Sequence, residues 1–199
     1  RQEAETAAWR EAGWARAIHL DDIHRHLARS QGWSEAQHRA AAALEVQIEE
    51  AAVRPVPERV AEIAALRRRG RRIAFISDMH LPAPSVRRML EGWGIAEPGD
   101  VVLVSSAAGC TKRSGGRLFA HAAAACGVPR HALRHCGDDP RADTWMAWRQ
   151  GVPARRVDTA RLNRHEQACA AALPAAAWRE RSAAAALRQL RLQSAGGAR

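Results

Sequence analysis

Apolar positions in residues 1–56 follow helical spacing only. Ala7, Trp9, Trp14 and Ile18 fall in a first segment rich in Ala, Glu and Arg. Asp21 is placed to cap a short helix carrying Ile23 and Leu27. Ser34 is placed to cap a longer one, with Ala41, Leu44, Ile48 and Ala51 at i, i+3, i+7 and i+10. Pro55 and Pro57 break the pattern. These residues predict a small helical module.

From residue 57 the pattern changes. Val60, Ile63 and Leu66 mark a helix that ends in basic residues and Gly70. Short apolar strands are predicted at Arg72–Ser77, Val101–Ser105, Leu133–Cys136 and Ala154–Val157. Helices are predicted between them. One begins at Pro84 and Ser85 and runs through Met89 and Leu90. One is capped by Ser114 and runs through Leu118, Phe119 and Ala123 to Gly127. One is opened by Pro140, carries Trp145, Met146 and Trp148, and ends at Gly151. Strands alternating with helices predict an α/β fold with a parallel sheet covered on both faces. Residues 161–199 read as Ala/Arg/Leu helices with a loose Ser-Ala-Gly-Gly tail. There Leu187, Leu190 and Leu192 offer a stripe for packing on the domain or on a partner. The expected organisation is a helical module at 1–56, an α/β core at 57–160 and a helical tail at 161–199.

Composition adds three points. The chain of 199 residues suffices for one packed domain and an appendage, with bulky anchors limited to seven Trp and two Phe. The net charge of +10 raises a nucleic-acid reading, but the arginines are spread over every predicted helix rather than gathered in a stripe. Cys110, Cys126, Cys136 and Cys169 lack CxxC or metal-finger spacing, which fits buried thiols in a reduced, cytoplasmic setting. No apolar run approaches the length of a membrane span.

Lys112 is the single lysine in a chain that otherwise uses arginine for this charge. A compact ammonium on a flexible stem suits one phosphoryl oxygen, where arginine is a wide fork. In open parallel sheets, ligands sit at the carboxyl ends of strands. Ser77 and Asp78 follow the first predicted strand, Lys112 follows the second, and Asp138, Asp139 and Asp143 follow the third. A hydroxyl, an ammonium and a carboxylate cluster can thus converge on one crevice. That set suits a phosphoryl group with Mg²⁺ held by oxygen ligands.

At these residues the chain resembles the haloacid dehalogenase-like (HAD) hydrolase superfamily. The resemblance runs through Phe75-Ile76-Ser77-Asp78-Met79-His80-Leu81-Pro82, then Thr111-Lys112-Arg113-Ser114-Gly115 with Leu118-Phe119, then His135-Cys136-Gly137-Asp138 to Asp143. It looks like the branch with an ISDMYLP-type second motif and a HIGDN-type fourth motif. The resemblance implies a three-layer Rossmann-like sheet with a helical cap, and a Mg²⁺-dependent phosphohydrolase acting on a small phosphate monoester. It implies that Ser77 and Lys112 bind the phosphoryl group, and that Asp138 and Asp143 hold or orient Mg²⁺. Asp139 stands where that branch has Asn. His80 stands where it has Tyr, beside Asp78 on the substrate side.

One departure shapes the expectation. The family's first motif, a DxDxT-type strand end supplying the nucleophilic and acid/base carboxylates, has no counterpart in residues 1–56. Asp78 is a poor replacement. His80 occupies the acid/base position, and Ser105 or Ser106 would have to serve as the phosphate hydroxyl. The first expectation is therefore a phosphatase lacking its N-terminal strand and inactive in this form, with two exposed sheet edges. The alternative is a non-catalytic phospholigand-binding or scaffold domain of a larger bacterial biosynthetic protein, with a sugar phosphate as a plausible ligand.

Overall fold

The computed structural model describes residues 1–14, 16–158, 162–172 and 188–192. The chain divides into two compact units, Arg1–Val53 with Arg72–Arg156, and Arg54–Arg71 with Val157–Arg199. The helical residues 1–53 thus group with the strands. Residues 57–71, expected to open the core, group with the tail.

The first unit begins with α1 (Gln2–Glu11), α2 (Leu20–Gln31) and α3 (Glu35–Ala52). Glu3 and Glu5 in the first turn of α1 and Arg10 in its last suit the helix dipole. Ala4 and Ala8 of α1 pack with Ile18 and with Ile23 of α2. Asp21 does not cap α2. The helix already starts at Leu20, and Asp22, three residues after the cap residue His19, accepts a 2.9 Å bond from the His19 backbone N–H. Ser34 does cap α3: its hydroxyl accepts from Gln37 N (3.3 Å), and Gln37 reaches back to Ser34 N (2.9 Å).

The apolar stripe expected on α3 is not its buried face. Leu44 and Ile48 are 54% and 55% exposed. The side turned toward the other helices carries His38 and Glu45. Glu45 accepts a 2.7 Å bond from buried His24 and is bracketed by Arg1. A charge-assisted network holds α3 where periodicity suggested apolar packing.

Two backbone features follow α1. Gly13 and Trp14 are both left-handed, at φ +64° and +59°, and Trp14 N donates to Trp9 O over 3.0 Å. Trp14 is the only non-glycine with positive φ among the described residues. For a residue with a Cβ that conformation costs roughly 1–2 kcal/mol.

The strands are β1 (Ala74–Ser77), β2 (Val101–Val104), β3 (His135–Gly137) and β4 (Ala154–Arg156). Each is shorter than the apolar run that predicted it, or shifted by one or two residues. They form two parallel pairs rather than one continuous sheet. β1 pairs with β2 in the register Ala74–Val101 to Ser77–Val104, and β3 pairs with β4 from His135–Ala154 to Gly137–Arg156. The architecture is mixed α/β with small parallel sheets.

Between the strands lie α5 (Ala83–Gly92), a single turn α6 (Ser105–Ala108), α7 (Arg117–Ala125) and α8 (Met146–Arg149). Ser114 does not cap α7. Gly116, at φ +68°, holds that position, and a Cβ there would lie 2.5 Å from Gln150 Cγ. Fully buried Phe119 of α7 packs with Ala147 and Val152, and Ile76, Leu133 and Ala154 close around them. Residues from β1 and from β4 thus share one apolar cluster. Pro140–Trp145 forms a π-helical turn rather than the expected α-helix. Cys110 is buried, but Cys136 is exposed. Its side of β3 is therefore uncovered among the described residues.

The second unit contains α4 (Pro57–Arg68), opened by Pro57, and α9 (Arg164–Ala172). Asn163 Oδ1 accepts from His165 N and Glu166 N, both at 2.9 Å, and Glu166 reaches back to Asn163 N. Arg191 donates to Glu166 at 2.7 Å. Leu190 is 61% exposed, so this member of the expected stripe is not packed. Leu187 and the Ser-Ala-Gly-Gly tail lie outside the described residues. No described helix is long and apolar enough to cross a membrane.

Candidate functional site

A cavity of about 610 Å³ in the first unit gathers the residues that the sequence singles out. Ser77, Asp78, Met79 and His80 enter from the end of β1, Ser105 from the end of β2, and Asp138, Asp139 and Asp143 from the end of β3. Lys112, Arg113 and Ser114 come from the loop before α7. Three strand carboxyl ends therefore open on one space, where parallel strands leave room for ligand.

The loop carrying Lys112 is held from below. Asp78 accepts from Lys112 N (2.7 Å) and from Arg113 N (2.9 Å), one bond to each carboxylate oxygen. Thr111 Oγ1 accepts from Ser114 N at 2.7 Å. Asp78 is thus a positioning group for the lysine loop, and its carboxylate is committed to backbone N–H groups. Ser105 donates to Met79 O (3.1 Å) and accepts from Met79 N (2.9 Å), and Ser106 donates to Leu81 O (2.8 Å). Both serines are buried and tie down the 79–81 loop, which leaves their hydroxyls occupied.

Lys112 is 8% exposed, and its Nζ lies 2.5 Å from Asp143 Oδ1. The same oxygen is 2.9 Å from His135 Nε2, and Asp143 Oδ2 accepts from Asp139 N at 3.0 Å. Burial disfavours the charged Asp143. The His135 hydrogen bond and the Lys112 ammonium outweigh it and hold the carboxyl well below the usual carboxylate range. The π turn is what brings Asp143 inward. Asp139 caps it, accepting from Arg141 N (2.8 Å) and Ala142 N (2.9 Å), while Asp143 N donates to Asp139 O (2.8 Å). Gly137 leaves room for the result, since a Cβ there would stand 2.3 Å from the Asp143 carboxyl. In the sequence Gly137 and His135 carry no site role of their own; the signal that reaches them is their place in the His135-Cys136-Gly137-Asp138 motif.

The remaining Asp139 oxygen pairs with the Arg113 guanidinium. Burial opposes ionisation of Asp139, but the Ala142 and Arg141 N–H donors and Arg113 hold its carboxyl below its ordinary value. Asp138 is different. It is exposed and lines the cavity, and its carboxylate has no hydrogen-bond or ion-pair partner among the described residues. The Ser77 hydroxyl likewise has none among the described residues, and Ser77 lines the same cavity. No group of three His, Cys, Asp or Glu side chains among the described residues is arranged to hold a metal ion. For a hard cation the chain offers Asp138 as one free oxygen ligand. Mg²⁺ typically keeps several waters and takes one or two carboxylates together with substrate phosphate.

His80 belongs to the helical side of the cavity. Arg1 Nη2 donates to its Nε2 at 3.0 Å, and its backbone O accepts from Leu20 N at 2.9 Å. A guanidinium has no acceptor, so this contact is a hydrogen bond only with His80 neutral and its proton on Nδ1. Burial, then the Arg1 charge, push His80 below its ordinary value of 6.5. The unfolded chain therefore binds more protons at this group than the folded one. The contribution is intact above pH 6.5 and is lost as pH falls through the lowered folded value. Chemical denaturation between about pH 7 and pH 5 should show a steeper loss of stability in the native chain than in His80→Asn. Identical slopes would remove His80 from this account.

The cavity can thus offer the Lys112 ammonium and the free Ser77 hydroxyl to an anionic group, with the Asp138 carboxylate beside them, while the backbone N–H groups of residues 112–114 are already taken by Asp78 and Thr111. No protein-family model matches the chain, and no curated protein matches it either.

Proposed function

We propose that this chain forms most of a HAD-like phosphohydrolase site, in which Lys112 and Ser77 hold the phosphoryl group of a small phosphate monoester. The observation that carries the reading is the convergence of buried Lys112, the unpartnered Ser77 hydroxyl and the unpartnered Asp138 at three strand ends. Lys112 would release part of its charge from Asp143 toward a phosphoryl oxygen, and Ser77 would donate to a second one. Asp143 would keep the lysine aimed, with His135 behind it. Mg²⁺, if bound through Asp138, would offset repulsion between carboxylate and phosphate.

The proposed fold is a three-layer Rossmann-like arrangement completed by one more parallel strand. Among the described residues β1 and β3 each pair on one edge only, and every residue of β1 is only half-buried. A both-sided parallel strand would be buried. A strand between them, from a segment outside residues 1–199, would end in the cavity facing Lys112 and would bring the nucleophilic and acid/base carboxylates. Attack of that carboxylate on phosphorus would form an acyl phosphate and expel the alcohol, protonated by the second carboxylate. Water would then release inorganic phosphate and restore the carboxylate.

A second reading is favoured by one observation. Asp78, Asp139 and Asp143 are all engaged by protein groups, so the described cavity carries a single free carboxylate. A site of that kind binds a phosphorylated ligand without turning it over. The two readings separate in one assay series. Residues 1–199 should bind inorganic phosphate and should not hydrolyse p-nitrophenyl phosphate with or without Mg²⁺. The same chain extended by its native flanking sequence should hydrolyse it if the first reading holds, and should not if the second does. Strong Mg²⁺-dependent turnover by residues 1–199 alone would sink the proposal that the nucleophile lies elsewhere.

A further inference from the structure

We infer that Trp9 and Trp14 form a stacking platform for the ring of an organic phosphate whose phosphoryl group lies at Lys112. The inference rests on the phosphate-binding reading of the cavity floor and extends it to the other half of the ligand. The two indole rings are nearly parallel, with centroids 6.2 Å apart and planes 4° from each other. Both line the cavity that holds Ser77 and Lys112. The space is far larger than a phosphate and lies within the range of small-molecule sites.

Packing does not explain Trp14. The residue is 58% exposed, so much of its apolar surface remains in water. Its backbone is left-handed, a conformation that glycine adopts without strain. A strained, exposed tryptophan on a cavity wall is intelligible if its ring is the useful part. Glu5, one helical turn before Trp9, lines the same wall and is oriented by Arg1 over 2.9 Å. Its carboxylate can accept hydrogen bonds from hydroxyl or amino groups at the rim of a stacked ring. A nucleobase would stack through its π face and a pyranose through its C–H face, and the indole face accepts either.

Calorimetric titration of the full chain tests this with three probes: inorganic phosphate, a hexose 6-phosphate and a purine nucleoside 5′-monophosphate. At least one ring-bearing probe should bind about tenfold more tightly than inorganic phosphate. That ratio should collapse toward one in Trp14→Ala and in Trp14→Gly. Trp14→Gly removes the ring and the backbone strain together, so it should melt close to the native chain, and its retained binding of inorganic phosphate shows that the variant is folded. Which probe gains the factor identifies the ring chemistry. A ratio near one in the native chain, or a ratio that survives Trp14→Gly, overturns the platform while Lys112-dependent phosphate binding still stands. Absence of binding by all three probes overturns the platform and the phosphate reading together.

Discussion

Lys112→Met is expected to destabilise the protein by about 3 kcal/mol at pH 7 and to abolish phosphate binding. The size follows from what is left behind. Asp143 is 4% exposed and would keep its charge with only His135 and one backbone N–H as partners. Breaking a buried pair by removing one side typically costs about 3–5 kcal/mol, because the surviving charge is uncompensated. The His135 bond puts the expectation at the lower end. The sign of the pH dependence is equally specific. In the native chain Asp143 is held below its unfolded value, so its stabilisation is present above about pH 4 and is lost as pH falls. Without Lys112 the carboxyl rises, and protonation relieves the buried charge. The penalty of Lys112→Met, measured by denaturant unfolding, should therefore shrink between pH 7 and about pH 4. A penalty independent of pH would show that the ion pair is not its source. Phosphate titration of the same variant separates the two roles of the lysine. A folded Lys112→Met chain that still binds phosphate would remove the ammonium from the site.

Phe119→Ala should cost about 3–5 kcal/mol, the range for emptying a fully buried phenylalanine position. Phe119 is entirely inaccessible and sits between Ile76 on β1, Ala154 on β4 and Val152 just before β4. With the four strands in two separate pairs, this side chain carries much of the apolar contact between them. It also meets His135 edge-on, with centroids 5.1 Å apart, and His135 in turn holds Asp143. The substitution should therefore weaken phosphate binding as well as the fold, since the Asp143–Lys112 pair loses its backing. Phe119→Leu should show a smaller stability loss and keep most of the binding. Equal losses for Ala and Leu would place the effect in the ring contact with His135 rather than in filled volume.

The residues at issue are legible in the sequence alone, because chemistry at strand ends is a local property. Ser77, Lys112 and Asp138 stand directly after or between apolar runs, and parallel strands present such positions to one crevice. Their roles are less legible. Asp78 reads as a substrate group, yet its carboxylate binds the Lys112 and Arg113 backbone. Asp139 reads as a metal ligand, yet it caps the π turn and pairs with Arg113. A carboxylate near a loop has several donors in reach, and only the folded path of residues 111–114 and 139–143 chooses among them.

Periodicity and turn chemistry placed α1 to α5, α7, the four strands to within two residues and the Ser34 cap, since each depends on neighbours a few residues away; they missed α6 and the π turn at Pro140–Trp145. Tertiary structure alone decided three other things. The stripe of Leu44 and Ile48 faces outward, because Arg1, His24 and Glu45 form a network across residues far apart in sequence. The strands close as two pairs, because pairing depends on which edges meet. Lys112 meets Asp143 across 31 positions, because a wide turn and a glycine without a Cβ let the carboxylate approach. Local rules carry no information about such long-range partners, and the charges of this site are set by them.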